Sequence, residues 1–289
     1  MAQSLAGRTL VLNMLPLSLR ELQKEGINLD RDTQLVSGCM PFLYKEKGHS
    51  PADYYRSYID TYLERDIAGI GAVQNLLKFR MFLKLLAGRT GQLVNNSALS
   101  GEVGVSSTTI SSWLSILEAS HVIFKLLPWY SSRTSQVVKT PKVYFCDTGI
   151  VASLLGIETP SQMSRDPLLG NIFENLVVLE ALKERLNNAA SQNLYFFRNS
   201  NGLEVDLIQM RGDKLSLFEI KSGKALDKNF LRGIKAFRAH YPQSQETNKI
   251  GTVIYSGENF PSFEGAEFVN YKNTASLFSV SEEKFRLDF

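Results

Sequence analysis

Residues 203–221 constrain this chain more tightly than any other stretch. Gly212-Asp213 suits a two-residue hairpin loop, and it is flanked by two runs of alternating character, Leu203-Glu-Val-Asp-Leu-Ile-Gln209 and Leu215-Ser-Leu-Phe-Glu-Ile-Lys221. With those two residues as the loop, Arg211 pairs with Lys214, Ile208 with Leu217 and Leu207 with Phe218. Asp206 then faces Glu219, and Glu204 faces Lys221, all four on one side of the hairpin because side chains alternate along a strand. Two carboxylates directly opposite each other, with β-carbons roughly 5 Å apart, repel. A divalent cation between them removes the penalty, and Mg²⁺ takes few protein carboxylates. A β-bulge would break this register, although the same-face relation of Glu219 and Lys221 survives it.

A third carboxylate, Glu174, lies in Ile172-Phe-Glu-Asn-Leu-Val-Val178, a helix apolar on most sides. An ionised carboxylate buried there is costly unless paired or metal-bound. Read alone, it is also a Glu near a helix N-terminus, favoured by the dipole. Taken together the residues have a mechanism. Asp206 and Glu219 hold Mg²⁺ or Mn²⁺, and Glu174 binds it directly or through water. The cation activates a bound water, and Lys221 orients that water and a scissile phosphate. Asp206, Glu219 and Lys221 are thus the expected catalytic residues of phosphodiester hydrolysis. The following helix, Asp227–His240, buries Phe230, Ile234 and Phe237 and carries Lys228, Arg232 and Lys235 at i, i+4, i+7. That stripe is either a solvated helix face or a track for a nucleic-acid backbone.

Upstream, a helix over Ala52–Ile70 carries Tyr54, Tyr58 and Tyr62 in one apolar stripe, a core pattern rather than a base-stacking platform. Lys78–Ala87 and Ser97–Val103 read as helices. Gly104 makes a turn, and a third helix starts at Ser106 or Ser107 with Ile110, Trp113, Leu114 and Leu117 at i, i+3, i+4, i+7. Strands follow at Val122–Leu127 and Lys142–Cys146. This order is that of a winged helix-turn-helix. The presumed recognition helix presents Ser107, Thr108, Ser111, Ser112 and Ser115 but no Arg or Lys, the usual guanine readers. The wing, free of acidic residues from Ser120 to Cys146, offers Lys125, Arg133, Lys139 and Lys142 to phosphates. The alternative is a winged helix used only as structure. Beyond residue 160 the element order is αβββαβ, giving a multi-domain α+β chain.

With 289 residues, the length fits about two domains. A net charge of +3 makes any nucleic-acid surface local. Two cysteines, Cys39 and Cys146, exclude a disulfide framework or a cysteine zinc site, and three dispersed histidines exclude a His-rich one. No run of ~18 apolar residues occurs, so a soluble, cytoplasmic protein with no membrane contact is expected.

The pattern Asp206…Glu219-x-Lys221, with Glu174 on the preceding helix, resembles the PD-(D/E)XK nuclease superfamily. The wider set Tyr58-Ile-Asp-Thr-Tyr-Leu-Glu-Arg-Asp66, Val143-Tyr-Phe-Cys-Asp-Thr-Gly149, Gly170-Asn-Ile-Phe-Glu-Asn175, Gly202-Leu-Glu-Val-Asp206 and Glu219-Ile-Lys221 resembles the C-terminal domain of prokaryotic AAA-like P-loop ATPases. Leu5-Ala-Gly-Arg8 and Leu15-Pro-Leu-Ser18 resemble the exit of the ATPase domain itself. The resemblance implies three parts. Residues 1–50 are a remnant of the ATPase domain, 51–160 a helical, winged helix-turn-helix domain, and 161–289 a PD-(D/E)XK restriction-endonuclease-like domain. No G-x-x-x-x-G-K-[ST] occurs, so neither ATP binding nor hydrolysis is expected. The expected function is a DNA-binding, Mg²⁺-dependent nuclease-like module. A non-catalytic DNA- or protein-binding module on the same scaffold is the alternative.

Overall fold

The computed structural model describes residues 12–45, 48–66, 73, 75–130, 138–242 and 249–279. The apolar run Thr9–Leu15 has the pattern of a strand, but residues 9–11 lie outside the described residues and 12–15 are not in a strand. The capping box is present: Ser18 opens α1 (Leu19–Lys24), its hydroxyl accepting the Glu21 N–H while the Glu21 carboxylate accepts the Ser18 N–H. Two short helices follow, α2 (Arg31–Ser37), capped by Asp30, and α3 (Phe42–Lys45). The helix expected over 52–70 begins as α4 (Pro51–Tyr58), with Pro51 in its first turn, and widens into a π-helical stretch over Ile59–Asp66. Its expected end, residues 67–70, lies outside the described residues.

The next unit interleaves three helices with three strands. Helix α5 (Leu76–Ala87) leads to β1 (Gln92–Leu93), α6 (Asn96–Val103), α7 (Ser107–Ala119), β2 (Ile123–Pro128) and β3 (Lys142–Phe145). Gly104 ends α6 at φ 71°, and the Ser106 hydroxyl caps α7. Trp113 of α7 packs on Phe79 and Phe82 of α5, with ring centroids 5.2 and 5.3 Å apart. The strands lie in the order β1-β3-β2, antiparallel, and the end of β2 continues parallel to the next strand of the chain. The small sheet is therefore one end of a larger one. Helices α8 (Thr148–Leu155) and α9 (Pro160–Met163) connect the two parts. The buried Asp147 carboxylate accepts the N–H groups of Gly149 and Cys39, so one side chain caps α8 and ties down the segment after α2. A side chain at Gly149 would collide with the Tyr55 ring, which explains a glycine inside this helix.

The second unit starts with α10 (Leu169–Asn187), followed by β4 (Leu194–Arg198), β5 (Glu204–Arg211) and β6 (Lys214–Lys221). After a 3₁₀ turn at Lys228–Leu231, α11 (Arg232–His240) crosses over to β7 (Thr252–Tyr255), parallel to β6. β8 (Phe260–Phe263), which the sequence does not announce, pairs with β9 (Ala266–Asn270), and α12 (Thr274–Phe278) closes the described chain. The result is a mixed α+β structure around a nine-stranded mixed sheet, β1-β3-β2-β4-β5-β6-β7-β9-β8. The main core, with Phe173, Leu176, Leu207, Phe218 and Ile220, lies between α10 and the sheet. A second cluster, with Val205, Ile208, Leu215, Leu217, Ile234 and Phe237, lies under α11. Among the described residues, no helix is long and apolar enough to cross a membrane.

Helix α10 is enclosed on nearly all sides, so its polar groups need internal partners. Asn175 binds the edge of β3 through both halves of its amide, accepting the Phe145 N–H and donating to the Phe145 carbonyl, each at 2.8 Å. Glu180 accepts the Leu19 N–H (2.7 Å) and pairs with Lys183 (2.9 Å), which donates in turn to the Leu17 carbonyl (2.8 Å). Both side chains are 1% exposed. This pair holds residues 17–19 on the helix. Removing one partner of a buried pair strands the other charge. Lys183→Met is expected to lower stability by about 3–5 kcal/mol in urea unfolding, and Glu180→Leu/Lys183→Met to recover a substantial part of that loss. A loss below about 1 kcal/mol for the single variant would refute this account of how residues 17–19 are anchored.

Candidate functional site

The hairpin register runs as the alternation predicts from Arg211↔Lys214 to Leu207↔Phe218, and the ladder stops there. Across β4 and β5, Tyr195 pairs with Ile208 and Phe197 with Val205, so Asp206 and Leu207 together oppose the single residue Phe196. This is a β-bulge at the acidic residue. Its consequence is visible in the packing: Leu207 lies in the core under α10, whereas Val205 lies in the cluster under α11. The strict cross-strand register expected between Asp206 and Glu219 is therefore lost, but their carboxylates still interact directly. Asp206 Oδ2 instead accepts the Ile220 N–H at 2.8 Å, a backbone donor the interrupted ladder leaves free. Glu204 likewise does not face Lys221; it pairs across the strands with Arg198.

Lys221 brings the two acids together. Its ammonium lies 3.1 Å from Asp206 Oδ2 and 2.9 Å from Glu219 Oε2. Helix α11 covers the pair through Gly233, where any side chain would collide with the Glu219 carboxylate and the Glu204 carbonyl. The electrostatics of the two acids diverge. Burial pushes Asp206 up, but Lys221, Lys142 and the Ile220 N–H outweigh it and hold the carboxyl below its ordinary value. Burial and the neighbouring Asp206 charge push Glu219 well above its ordinary value, and Lys221 offsets only part of this. Lys221 itself is raised: desolvation opposes its charge, but the two carboxylates more than compensate.

Glu174 lies beside this pair within a separate set of bonds. Its Oε1 accepts from the Tyr144 hydroxyl at 2.7 Å and from Lys142 Nζ at 2.9 Å. The same ammonium is 2.7 Å from Glu204 Oε1 and 5.5 Å from the centre of the Phe196 ring. The Lys142 side chain is 3% exposed. The expectation that it contacts nucleic acid from the wing is thus wrong: its ammonium is enclosed by Glu174, Glu204 and the Phe196 ring of the second unit. Burial raises Glu174, and Lys142 offsets part of the shift. Tyr144, two residues along β3, shares the Lys142 face, a relation that strand alternation alone could have revealed. Among the described residues, no three His, Cys, Asp or Glu side chains converge as a metal cage. Asp206 and Glu219 do match Mg²⁺ in donor chemistry, since that ion uses one or two carboxylates and completes its shell with water and phosphate. Glu174, held by Lys142 and Tyr144, is not gathered with them.

The remaining nucleic-acid candidates scatter. Lys125 pairs with Glu118 at 2.6 Å, and Lys139 is exposed. Arg133 lies outside the described residues. Lys228 and Arg232 are exposed on the α11 side, and Lys235 is exposed but paired with Glu264 at 2.9 Å. Arg238, near the stripe in sequence, is buried and donates to the Leu215 and Ile250 carbonyls. A polar groove of about 710 Å³ opens where the N-terminal ends of α6 and α7 meet Thr140, lined by Asn95, Asn96, Ser97, Ser107, Thr108 and Ser111.

Two family matches cover most of this architecture. Residues 28–161 match a domain of unknown function (DUF8612), and residues 169–273 match another (DUF4143). The second commonly lies C-terminal to AAA-like ATPase domains. An uncharacterized protein of Mycobacterium tuberculosis (strain H37Rv) is 31% identical over 220 residues, 76% of this chain and 48% of that protein. A Mycobacterium bovis protein gives the same figures. An uncharacterized protein of Haemophilus influenzae is 24% identical over 235 residues, 76% of this chain and 55% of its own length. The chain spans about half the length of these relatives. No solved structure matches it significantly.

The raised Glu219 has a stability consequence. A carboxyl whose folded value exceeds its unfolded one binds its proton more tightly in the folded state. It therefore stabilises below its ordinary value of 4.5, and that contribution is lost as pH rises towards the folded value. In chelator, the difference in unfolding free energy between wild type and Glu219→Gln is expected to shift in the variant's favour as pH rises from 5 to 8. A difference independent of pH would contradict this assignment.

Proposed function

We propose that the chain is a DNA-binding, Mg²⁺-dependent nuclease-like module that hydrolyses phosphodiester bonds. The observation that carries this reading is the pairing of Asp206 and Glu219 by one lysine, Lys221, at the end of a buried hairpin. Further support comes from the helix, three antiparallel strands, crossover helix and parallel strand formed by α10, β4, β5, β6, α11 and β7. This is the αβββαβ order expected of a PD-(D/E)XK domain. The α5-β1-α6-α7-β2-β3 unit has the element order of a winged helix, and its exposed hydroxyl face on α7 borders the polar groove.

On this reading Asp206 and Glu219 would hold the cation, and when bound it would supply Lewis-acid activation of water and charge neutralisation at the phosphate. Lys221 turns from the carboxylates to the substrate, positions the attacking water and stabilises the charge developing on phosphate oxygens. The enclosing α10 and α11 keep these groups in a low-dielectric setting, where each charge acts strongly. Exposed Lys139, Lys228 and Arg232 are the cations placed to meet a backbone. The alternative, a non-catalytic DNA- or protein-binding module, is favoured by one feature: every carboxylate of the site already has a lysine partner.

Supercoiled-plasmid nicking in Mg²⁺ or Mn²⁺ separates the two. Wild type is expected to nick, Asp206→Ala to lose both Mn²⁺ binding and nicking, and Lys221→Ala to keep Mn²⁺ binding while nicking falls about 10²-fold or more. A wild type that binds DNA without nicking in either metal would establish the non-catalytic reading instead.

A further inference from the structure

Lys142 is the one buried cation of the site that the proposed chemistry does not use. It comes from β3, in the small sheet of the first unit, and reaches α10 and β5 of the second. Its ammonium contacts Glu174 at 2.9 Å and Glu204 at 2.7 Å, while Tyr144 from the same strand face takes the same Glu174 oxygen. We propose that Lys142 is a built-in counter-ion that keeps Glu174 out of the cation's shell, so that the metal is held by Asp206 and Glu219 alone while β3 stays in place. This deepens the nuclease reading and rests on it.

The physical argument is competition for one carboxylate. A lysine ammonium and a divalent cation both neutralise Glu174, but they cannot occupy the same side of it. The lysine is tethered to a strand fixed by β1 and β2 and by the Asn175 amide, so it is the resident partner. Withdrawal of Lys142 would release Glu174 and Glu204 together, adding oxygen ligands and removing a repelling charge in one step. The first unit thereby controls the metal site of the second through a single side chain.

The test is Mn²⁺ titration followed by electron paramagnetic resonance, with folding checked by circular dichroism, on wild type, Glu174→Gln, Lys142→Arg, Lys142→Met, Lys142→Met/Glu174→Gln and Asp206→Ala. Glu174→Gln and Lys142→Arg are expected to bind Mn²⁺ as wild type does. Lys142→Met is expected to bind about tenfold or more tightly, and the gain to vanish in the double variant. Weaker Mn²⁺ binding in Glu174→Gln alone would overturn the proposal, because Glu174 would then be a ligand with Lys142 in place. An unchanged affinity in a folded Lys142→Met would overturn it too. If Lys142→Met does not fold, Glu174→Gln still decides. Mn²⁺ binding absent from both wild type and Lys142→Met, or unaffected by Asp206→Ala, would instead remove the metal site on which the nuclease reading stands.

Discussion

A helix enclosed on all sides is the constraint from which the rest of this structure follows. Apolar burial gives α10 its place between the sheet and the N-terminal helices, but its sequence is not apolar throughout. Each buried polar residue must find a partner inside the protein, and these partners lie on other parts of the chain. Asn175 fixes β3, Glu174 meets Lys142 and Tyr144, and Glu180 with Lys183 anchors residues 17–19. Glu184, nearer the C-terminal end, pairs with Arg20 of α1 at 3.2 Å. The polar residues of one helix thus hold two separate parts of the chain, β3 and residues 17–20, in place. Hydrophobic contacts alone, being non-directional, could not set those relative positions so narrowly.

The site inherits its charge balance from that arrangement. Glu174, Glu204, Asp206 and Glu219 face Lys142, Lys221 and, at 3.5 Å from Glu204, Arg198. Four acids against three bases leave one negative charge in excess. Burial first, and the neighbouring Asp206 charge second, displace the Glu219 carboxyl upward, so that part of this excess is met by a proton. A bound divalent cation would meet it instead, displacing the proton as it binds. The same surplus that makes the metal-free site favour a proton is what makes an oxygen-seeking cation chemically suited to it. The two lysines prevent the acids from repelling one another apart in the meantime.

The hairpin was legible because two-residue turns and alternation are local rules, and its register holds over five pairs. The glycine stop of α6 was legible for the same reason. The bulge at Asp206 was not. It exists because Phe196 of β4 opposes two residues of β5 and because a side-chain carboxylate takes over a backbone donor, and both are facts about neighbouring strands. Lys142 was misread for a related reason. In the sequence it is one of several basic residues in a stretch without acids, and its acidic partners come from residues 174 and 204. Charge content along a segment says nothing about burial, and here burial converts an expected phosphate contact into an internal ion pair. The Glu174 argument went halfway: a buried carboxylate needed a cation, and the cation proved to be a lysine of the first unit.

That misreading exposes how the two units are joined. The end of β2 pairs with β4 over Leu127 and Pro128, so the small sheet and the large one share hydrogen bonds. Lys142 crosses the same boundary through its side chain, and Asn175 crosses it through an amide. The ion pair and the amide converge on β3, the backbone link runs through its neighbour β2, and Thr140, two residues before β3, lines the groove. A ligand that shifted β3 by even a fraction of a side-chain length would have to break or remake the ion pair and the amide contact together, because a close-packed interior does not deform continuously. The structure therefore links the first unit to the acids of the second through a buried ion pair and an amide contact. The side chain with most to gain or lose in that exchange is the buried lysine.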